Sequence, residues 1–178
     1  MNLPNLLTIL RILLVPLVVI LLMDGAYPMA LAVFVLAGVT DGLDGFLARV
    51  LHQKTLLGAY LDPLADKALI ASSFITLSIL GFLPGWLTVI VITRDLVILL
   101  GILLLTLLSV SFQIRPVAVS KVTTALQLFT VFYVLTAINL AGSLPPWIMK
   151  GLFGLTALFT VLSGFSYIWK GFRMYSPP

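Results

Sequence analysis

The sequence predicts an all-α integral membrane protein of six transmembrane helices, with residues 1–178 forming one membrane domain. Three observations carry that reading. The chain is 61% hydrophobic and only 9% charged, where a soluble domain has about a quarter charged residues. Its mean hydropathy is +1.22. Its apolar residues fall in six long stretches separated by Gly, Pro and polar punctuation, with no linker, charge block or repeat dividing them. There is no Cys, which excludes disulfides and thiolate metal sites. The formal net charge of +4 comes from scattered basic residues, which suits an anionic lipid surface and not nucleic acid.

The first span is placed at Leu6 to Met23. No basic segment precedes it and no small-residue cleavage site follows, so it reads as a retained helix. The second, Pro28 to Leu51, is apolar as far as Asp41; from there to Arg49 one face is polar, and that face must look into the bundle. The third, Leu57 to Leu80, carries two more aspartates in its first half. The fourth runs from Pro84 to Val110, the fifth from Val117 to Leu140 and the sixth from Pro146 to Lys170. Each has roughly 18–27 residues, enough to cross about 30 Å of hydrocarbon at about 1.5 Å rise per residue. Continuous helix is expected, because backbone polar groups in lipid must be satisfied within their own segment.

Basic residues orient the bundle. With a cytoplasmic N-terminus, Arg11, Arg49, Lys54, Arg115, Lys121, Lys170 and Arg173 lie at cytoplasmic ends and turns, against Lys150 alone on the other side. Both termini are therefore expected inside. The aspartates of the second and third spans then open to the cytosol.

All six acidic residues are Asp, and four of them fall between Asp41 and Asp66. A carboxylate at bilayer depth costs several kcal/mol unless it is paired or faces water. Four converging carboxylates call for a strongly cationic partner, and hard divalent cations with oxygen ligands fit that need. Asp41 and Asp44 are spaced i,i+3 and Asp62 and Asp66 i,i+4, so each pair shares a helix face. The segment from Val50 to Leu57 turns the chain so that the faces can meet. Pro63 is expected in the first turns of the third helix, where a missing N–H costs least. Gly45 and Ala48 leave room beside Asp41 and Asp44, and Gly58 permits close approach. Arg49, one step around, can grip a phosphate in a bidentate way. Carboxylates, metals and a phosphate-binding Arg at a membrane surface suggest phosphoryl-type transfer on a lipid.

The order Asp41-x-x-Asp44-Gly45-x-x-Ala48-Arg49, eight residues, then Gly58-x-x-x-Asp62-x-x-x-Asp66 resembles the complete signature of the CDP-alcohol phosphatidyltransferases. The likeness extends to the opening Asn5-Leu6-Leu7-Thr8-Ile9-Leu10-Arg11, to Thr93-Arg94-Asp95 and to the run from Ser120 to Gln127. It implies a six-helix homodimer using two divalent cations, Mg²⁺ or Mn²⁺, in a bacterial inner membrane. It implies displacement of CMP from a CDP-linked lipid, here CDP-diacylglycerol, by an alcohol. Asp41, Asp44, Asp62 and Asp66 would be the metal ligands and Asp66 also the base for the attacking hydroxyl. Gly45, Ala48, Arg49 and Gly58, with Asn5 and Thr8 of the opening, would line the CDP-lipid. The run from Asp62 to Lys67 and that from Lys121 to Gln127 are most similar to phosphatidylglycerophosphate synthases, whose acceptor is sn-glycerol 3-phosphate. Arg94, Arg115 and Lys121 would then form the acceptor pocket. Such enzymes commonly have Gly where this chain has Ser120. Ser120-Lys121 and the run from Ser163 to Tyr167 also resemble cardiolipin synthases of the same fold, whose acceptor is phosphatidylglycerol.

Plainer readings stand beside these. Lys54, Lys150, Lys170 and Arg173 read as snorkelling interfacial anchors, and His52 as a turn residue. Lys67 is either an anchor or a counter-charge for the aspartates. Arg94 and Asp95 could simply pair inside the bundle. Trp86, Trp147, Tyr167 and Trp169 read as an aromatic belt. A cation transporter would need charge along the outer halves of the spans, which hold almost none. An intramembrane prenyltransferase would release pyrophosphate, and its two Asp-rich segments typically lie far apart in the chain.

Overall fold

The computed structural model describes residues 3–50, 56–107, 118–140 and 145–175. Each apolar stretch forms a helix: α1 (Leu3–Met23), α2 (Tyr27–Val50), α3 (Leu56–Ile79), α4 (Gly85–Leu107), α5 (Ala118–Asn139) and α6 (Pro146–Tyr175). No strand occurs among the described residues. The helices fall where the spans are expected; α6 runs on to Tyr175, past Lys170. The expected ends at Leu51, Val110 and Val117 lie outside the described residues.

Pro63 falls where it is expected: α3 begins at Leu56, one residue before the expected start, and Pro63 closes its second turn. It lies within the helix, as Pro16 lies within α1. An interior proline removes one backbone hydrogen bond, and a helix in a bundle tolerates this where neighbouring polar groups take up the freed carbonyl.

The helices form two compact units. The first comprises α1, α2, α3 and the last part of α5. Here α1 is the middle element, packed against both α2 and α3. Its buried residues Thr8, Arg11, Leu14, Val18 and Leu22 recur every three or four positions, which is one helix face. Ala30, Phe34 and Ala37 of α2 and Ala65, Leu69, Phe74 and Leu77 of α3 complete this core, and the alanines let backbones approach closely.

Two described turns of this unit end their helices in the same way. Gly25 (φ 74°) and Gly81 (φ 80°) adopt the left-handed conformation that closes a helix C-terminus. The Ala26 N–H then reaches the Leu21 carbonyl at 2.9 Å, and the Phe82 N–H reaches that of Leu77 at 2.9 Å. The residues just beyond, Tyr27 and Phe82, meet edge to face at 5.5 Å and tie the two turns together. Asn139 Nδ2 donates to the Tyr27 carbonyl at 3.2 Å, which anchors the end of α5.

The second unit comprises α4, the first part of α5, and α6, with α4 packed on α6. A polar seam joins α5 to α6. Thr123 Oγ1 donates to the Phe159 carbonyl at 2.9 Å, Gln127 Nε2 to Thr160 Oγ1 at 3.3 Å, and the hydroxyls of Thr130 and Thr156 bond at 2.7 Å. All of these side chains are buried apart from the half-buried Phe159. Hydroxyl-to-hydroxyl and hydroxyl-to-carbonyl bonds of this kind hold helices together where lipid removes the hydrophobic drive between them.

Large apolar side chains cover the outside of both units, among them Leu13, Ile20, Val39, Val89, Leu100 and Phe165. Such a surface suits lipid and not water. Among the described residues two helical stretches, Val119–Asn139 and Pro146–Trp169, are long and apolar enough to cross a bilayer by length and composition. The apolar runs Thr8–Met23 and Tyr27–Asp41 are shorter.

The polar seam is testable. Thr130→Val and Thr156→Val should each lower stability by about 0.5–2 kcal/mol, with a coupling of about 0.6 kcal/mol in the double-mutant cycle. Thermal unfolding in detergent measures both, and strict additivity would show that the two hydroxyls are not bonded.

Candidate active site

The aspartate motif divides between two helices. Asp41 lies in the second half of α2, which continues through Asp44, Gly45, Ala48 and Arg49 to Val50. Gly58, Asp62 and Asp66 occupy the first half of α3. The helical backbone thus puts both pairs at the i,i+3 and i,i+4 spacings expected. The side chains of Asp44, Gly45, Ala48, Arg49, Gly58 and Asp62 lie outside the described residues, as does that of Asn5. Arg115 lies outside them altogether.

Asp41 and Asp66 come together on α1. Arg11 Nη1 donates to Asp41 Oδ1 at 2.7 Å and to Asp66 Oδ1 at 2.8 Å. One nitrogen therefore bridges the first and last aspartates of the motif. The Arg11 side chain is fully buried, while those of Asp41 and Asp66 keep 39% and 35% of their surface open. The arrangement places the cation at the back of the site and the carboxylates at its mouth. Thr8, three residues before Arg11 and on the same face, is buried beside this region of α1.

In the sequence Arg11 figures only as a basic residue near a cytoplasmic helix end and as the last residue of the opening that resembles the family; the structure places it buried and paired with two aspartates of the motif. Its position on the stripe Thr8, Arg11, Leu14, Val18, Leu22 was the available signal.

Carboxylate oxygens from two helices that can share one nitrogen are also within reach of one metal ion. Hard divalent cations take such oxygens, so the residues fit a divalent metal. Among the described residues no group of three or more His, Asp or Glu side chains forms. The remaining two carboxylates of the motif, Asp44 and Asp62, are outside that set.

The second unit holds a separate charged cluster. Arg94 of α4 is buried; its Nη1 donates to Asp95 Oδ1 at 2.7 Å, and its Nη2 to Ser120 Oγ and Ser163 Oγ, both at 2.6 Å. One guanidinium thus joins α4, α5 and α6. A Cβ added at Gly164 would meet Arg94 Cγ at 3.6 Å, ordinary contact, so the side chain lies against the α6 backbone there. Arg94 has partners of its own, and an acceptor phosphate would share it with them. Lys121, next to Ser120, is exposed. That Ser120 and Ser163 meet on one arginine is invisible in the sequence, where they are 43 positions apart.

A buried Arg–Asp pair is costly to break from one side. Arg94→Met should destabilise the protein by about 3–5 kcal/mol, because it strips the cation from the buried Asp95. Arg94→Met/Asp95→Leu should recover much of that loss. Chemical denaturation in detergent reads both, and equal losses in the single and double variants would show that Asp95 does not depend on Arg94.

The sequence model of the CDP-alcohol phosphatidyltransferases matches residues 1–163. Cardiolipin synthase (CMP-forming) from Rattus norvegicus is 36% identical over 188 aligned positions, covering 96% of this chain and 61% of that protein. CDP-diacylglycerol–glycerol-3-phosphate 3-phosphatidyltransferase from Bacillus subtilis is 31% identical over 188 positions, covering 97% of this chain and 96% of that one. A probable phosphatidylglycerophosphate synthase from Mycobacterium tuberculosis is 46% identical over 101 positions, 53% of this chain and 48% of its own length. The chain thus spans less than two thirds of the length of several curated relatives that it matches.

Proposed function

Because the chain belongs to the CDP-alcohol phosphatidyltransferase family, we propose that it transfers the phosphatidyl group of CDP-diacylglycerol to sn-glycerol 3-phosphate, giving phosphatidylglycerophosphate and CMP. The observation that carries this reading is the meeting of Asp41 and Asp66, from the two halves of the motif, on one buried cation with their open edges outward. Similarity to the Bacillus subtilis 3-phosphatidyltransferase over nearly the whole of both chains supports it.

In this mechanism Asp66 accepts the proton of the acceptor hydroxyl as its oxygen bonds to the lipid-bearing phosphorus; the bond to the CMP oxygen breaks and CMP departs with that electron pair. Asp41, Asp44, Asp62 and Asp66 would hold two divalent cations, Mg²⁺ or Mn²⁺. When bound, these would supply charge stabilisation for the diphosphate. Arg49 grips the diphosphate, and Gly45, Ala48, Gly58, Asn5 and Thr8 leave room for and line the CDP-lipid. Arg94, Arg115 and Lys121 supply cations for the acceptor phosphate. Residues 1–178 act as one multi-pass domain, paired as a homodimer in a bacterial inner membrane, with both termini and the site on the cytoplasmic side. The excess of basic residues at that side supports the orientation.

A second reading has an observation of its own. Ser120 and Ser163 both bond to Arg94, and both belong to segments that resemble cardiolipin synthases. With phosphatidylglycerol as acceptor, the same site would make cardiolipin and CMP.

Two experiments bear on these assignments. Asp66→Asn keeps size and one ligand oxygen but removes basicity, so turnover should fall at least about a hundredfold while CDP-diacylglycerol still binds. Near-normal turnover would remove Asp66 as the base. Purified protein given CDP-diacylglycerol, glycerol 3-phosphate and phosphatidylglycerol together should make chiefly phosphatidylglycerophosphate and CMP. Cardiolipin as the main product would favour the second reading, and release of pyrophosphate would sink both.

A further inference from the structure

Arg11 is fully buried in α1 and holds the Oδ1 atoms of Asp41 and Asp66 with a single nitrogen, at 2.7 and 2.8 Å. Those oxygens belong to the residues read above as divalent-metal ligands. We propose that Arg11 is the resident counter-ion of this site: a positioning residue that gathers the two carboxylates without metal and competes with divalent cations for them. This rests on the reading of the aspartates as metal ligands.

Three features support it. First, α1 packs against both α2 and α3, so a side chain on its inward face can reach the aspartates of both helices. Second, Arg11 lies on the buried stripe of α1, below the half-open carboxylates and away from solvent. A guanidinium so placed cannot leave easily and carries its charge at any ordinary pH. Third, two carboxylates held this close repel each other unless a cation stands between them, and removing the cation from a buried group leaves a strongly destabilising charge. Arg11 thus does for the metal-free site what a divalent ion does for the loaded one. The two cations draw on the same pair of carboxylates, so the fixed charge of one weakens the hold of the other.

The consequence is a trade. With Arg11 the protein folds without metal but binds metal less tightly. Without Arg11 it should depend on metal to fold. Replacing Arg11 by Met keeps approximate length and apolar bulk while removing charge; Arg11→Lys keeps the charge and loses the fork.

Thermal unfolding in detergent, with EDTA and across a Mn²⁺ titration, tests this with no need for turnover. Arg11→Met should melt well below wild type in EDTA and should reach half-maximal stabilisation at about tenfold less Mn²⁺. Arg11→Lys should stay near wild type in Mn²⁺ dependence. Arg11→Met/Asp66→Asn, with one repelling charge fewer, should regain part of the stability lost in EDTA. Arg11→Met can be purified in Mn²⁺ throughout if it fails to fold without it, and such failure, relieved by Mn²⁺, is itself the expected behaviour. An unchanged melting temperature in EDTA, or an unchanged or weaker response to Mn²⁺ in Arg11→Met, overturns the proposal. A wild-type protein that Mn²⁺ does not stabilise at all overturns the metal reading instead, and the counter-ion proposal with it.

Discussion

Charge neutralisation inside an apolar bundle governs what the rest of this structure can be. Asp41 and Asp66 sit on separate helices in a chain whose described outer faces carry many large apolar side chains, and the price of such carboxylates falls only when a cation meets them or they face water. Arg11 meets both. That requirement makes α1 the middle helix of its unit, since the helix that carries the cation must touch both helices that carry the anions. It also explains the composition of the contact faces. Ala30, Ala37 and Ala65 bring α2 and α3 close enough to α1 for a side chain of limited reach to bridge them. The glycine-ended turns at Gly25 and Gly81, tied by Tyr27 and Phe82, hold the far ends of the same helices in step.

The second unit meets the same constraint with different chemistry. Its buried cation, Arg94, has one carboxylate, Asp95, and two hydroxyls, Ser120 and Ser163, each from a different helix. Hydroxyls satisfy donors without adding charge, so Ser120 and Ser163 are neutral partners for Arg94. The Thr123, Gln127, Thr130, Thr156 and Thr160 seam continues the pattern along α5 and α6 with neutral groups alone. Polar residues that look out of place in a hydrophobic sequence are here the joints between helices.

Much of this was legible in the sequence, for physical reasons. Long apolar runs must become helices in lipid, so the six elements and their approximate limits follow from hydropathy and from Gly and Pro punctuation. The motif was legible because four carboxylates in a hydrophobic window are too costly to be incidental. Arg11 was not legible as part of the site. Its charge type and its place near a helix end suit an interfacial anchor equally well, and only the packing of α1 between α2 and α3 decides between the two roles. The convergence of Ser120 and Ser163 on Arg94 depends on three helices and could not be read from any one segment.

The choice of acceptor is hard to read from sequence for the same reason. On the proposed reading, the motif deals with the carboxylates and the CDP-linked donor, and the acceptor would be distinguished by how a cation elsewhere is shared. A guanidinium has a fixed number of donors. Each one taken by Asp95, Ser120 or Ser163 is one that a phosphate must share, and a glycine at position 120 would offer no hydroxyl to hold it. If the acceptor phosphate draws on Arg94, a dianion and a phosphodiester would feel that difference to different degrees, because the dianion gains more from each freed donor. On that reading discrimination would lie in single hydroxyls on separate helices, while the motif stays the same; the chain is similar to synthases of both products along nearly its whole length.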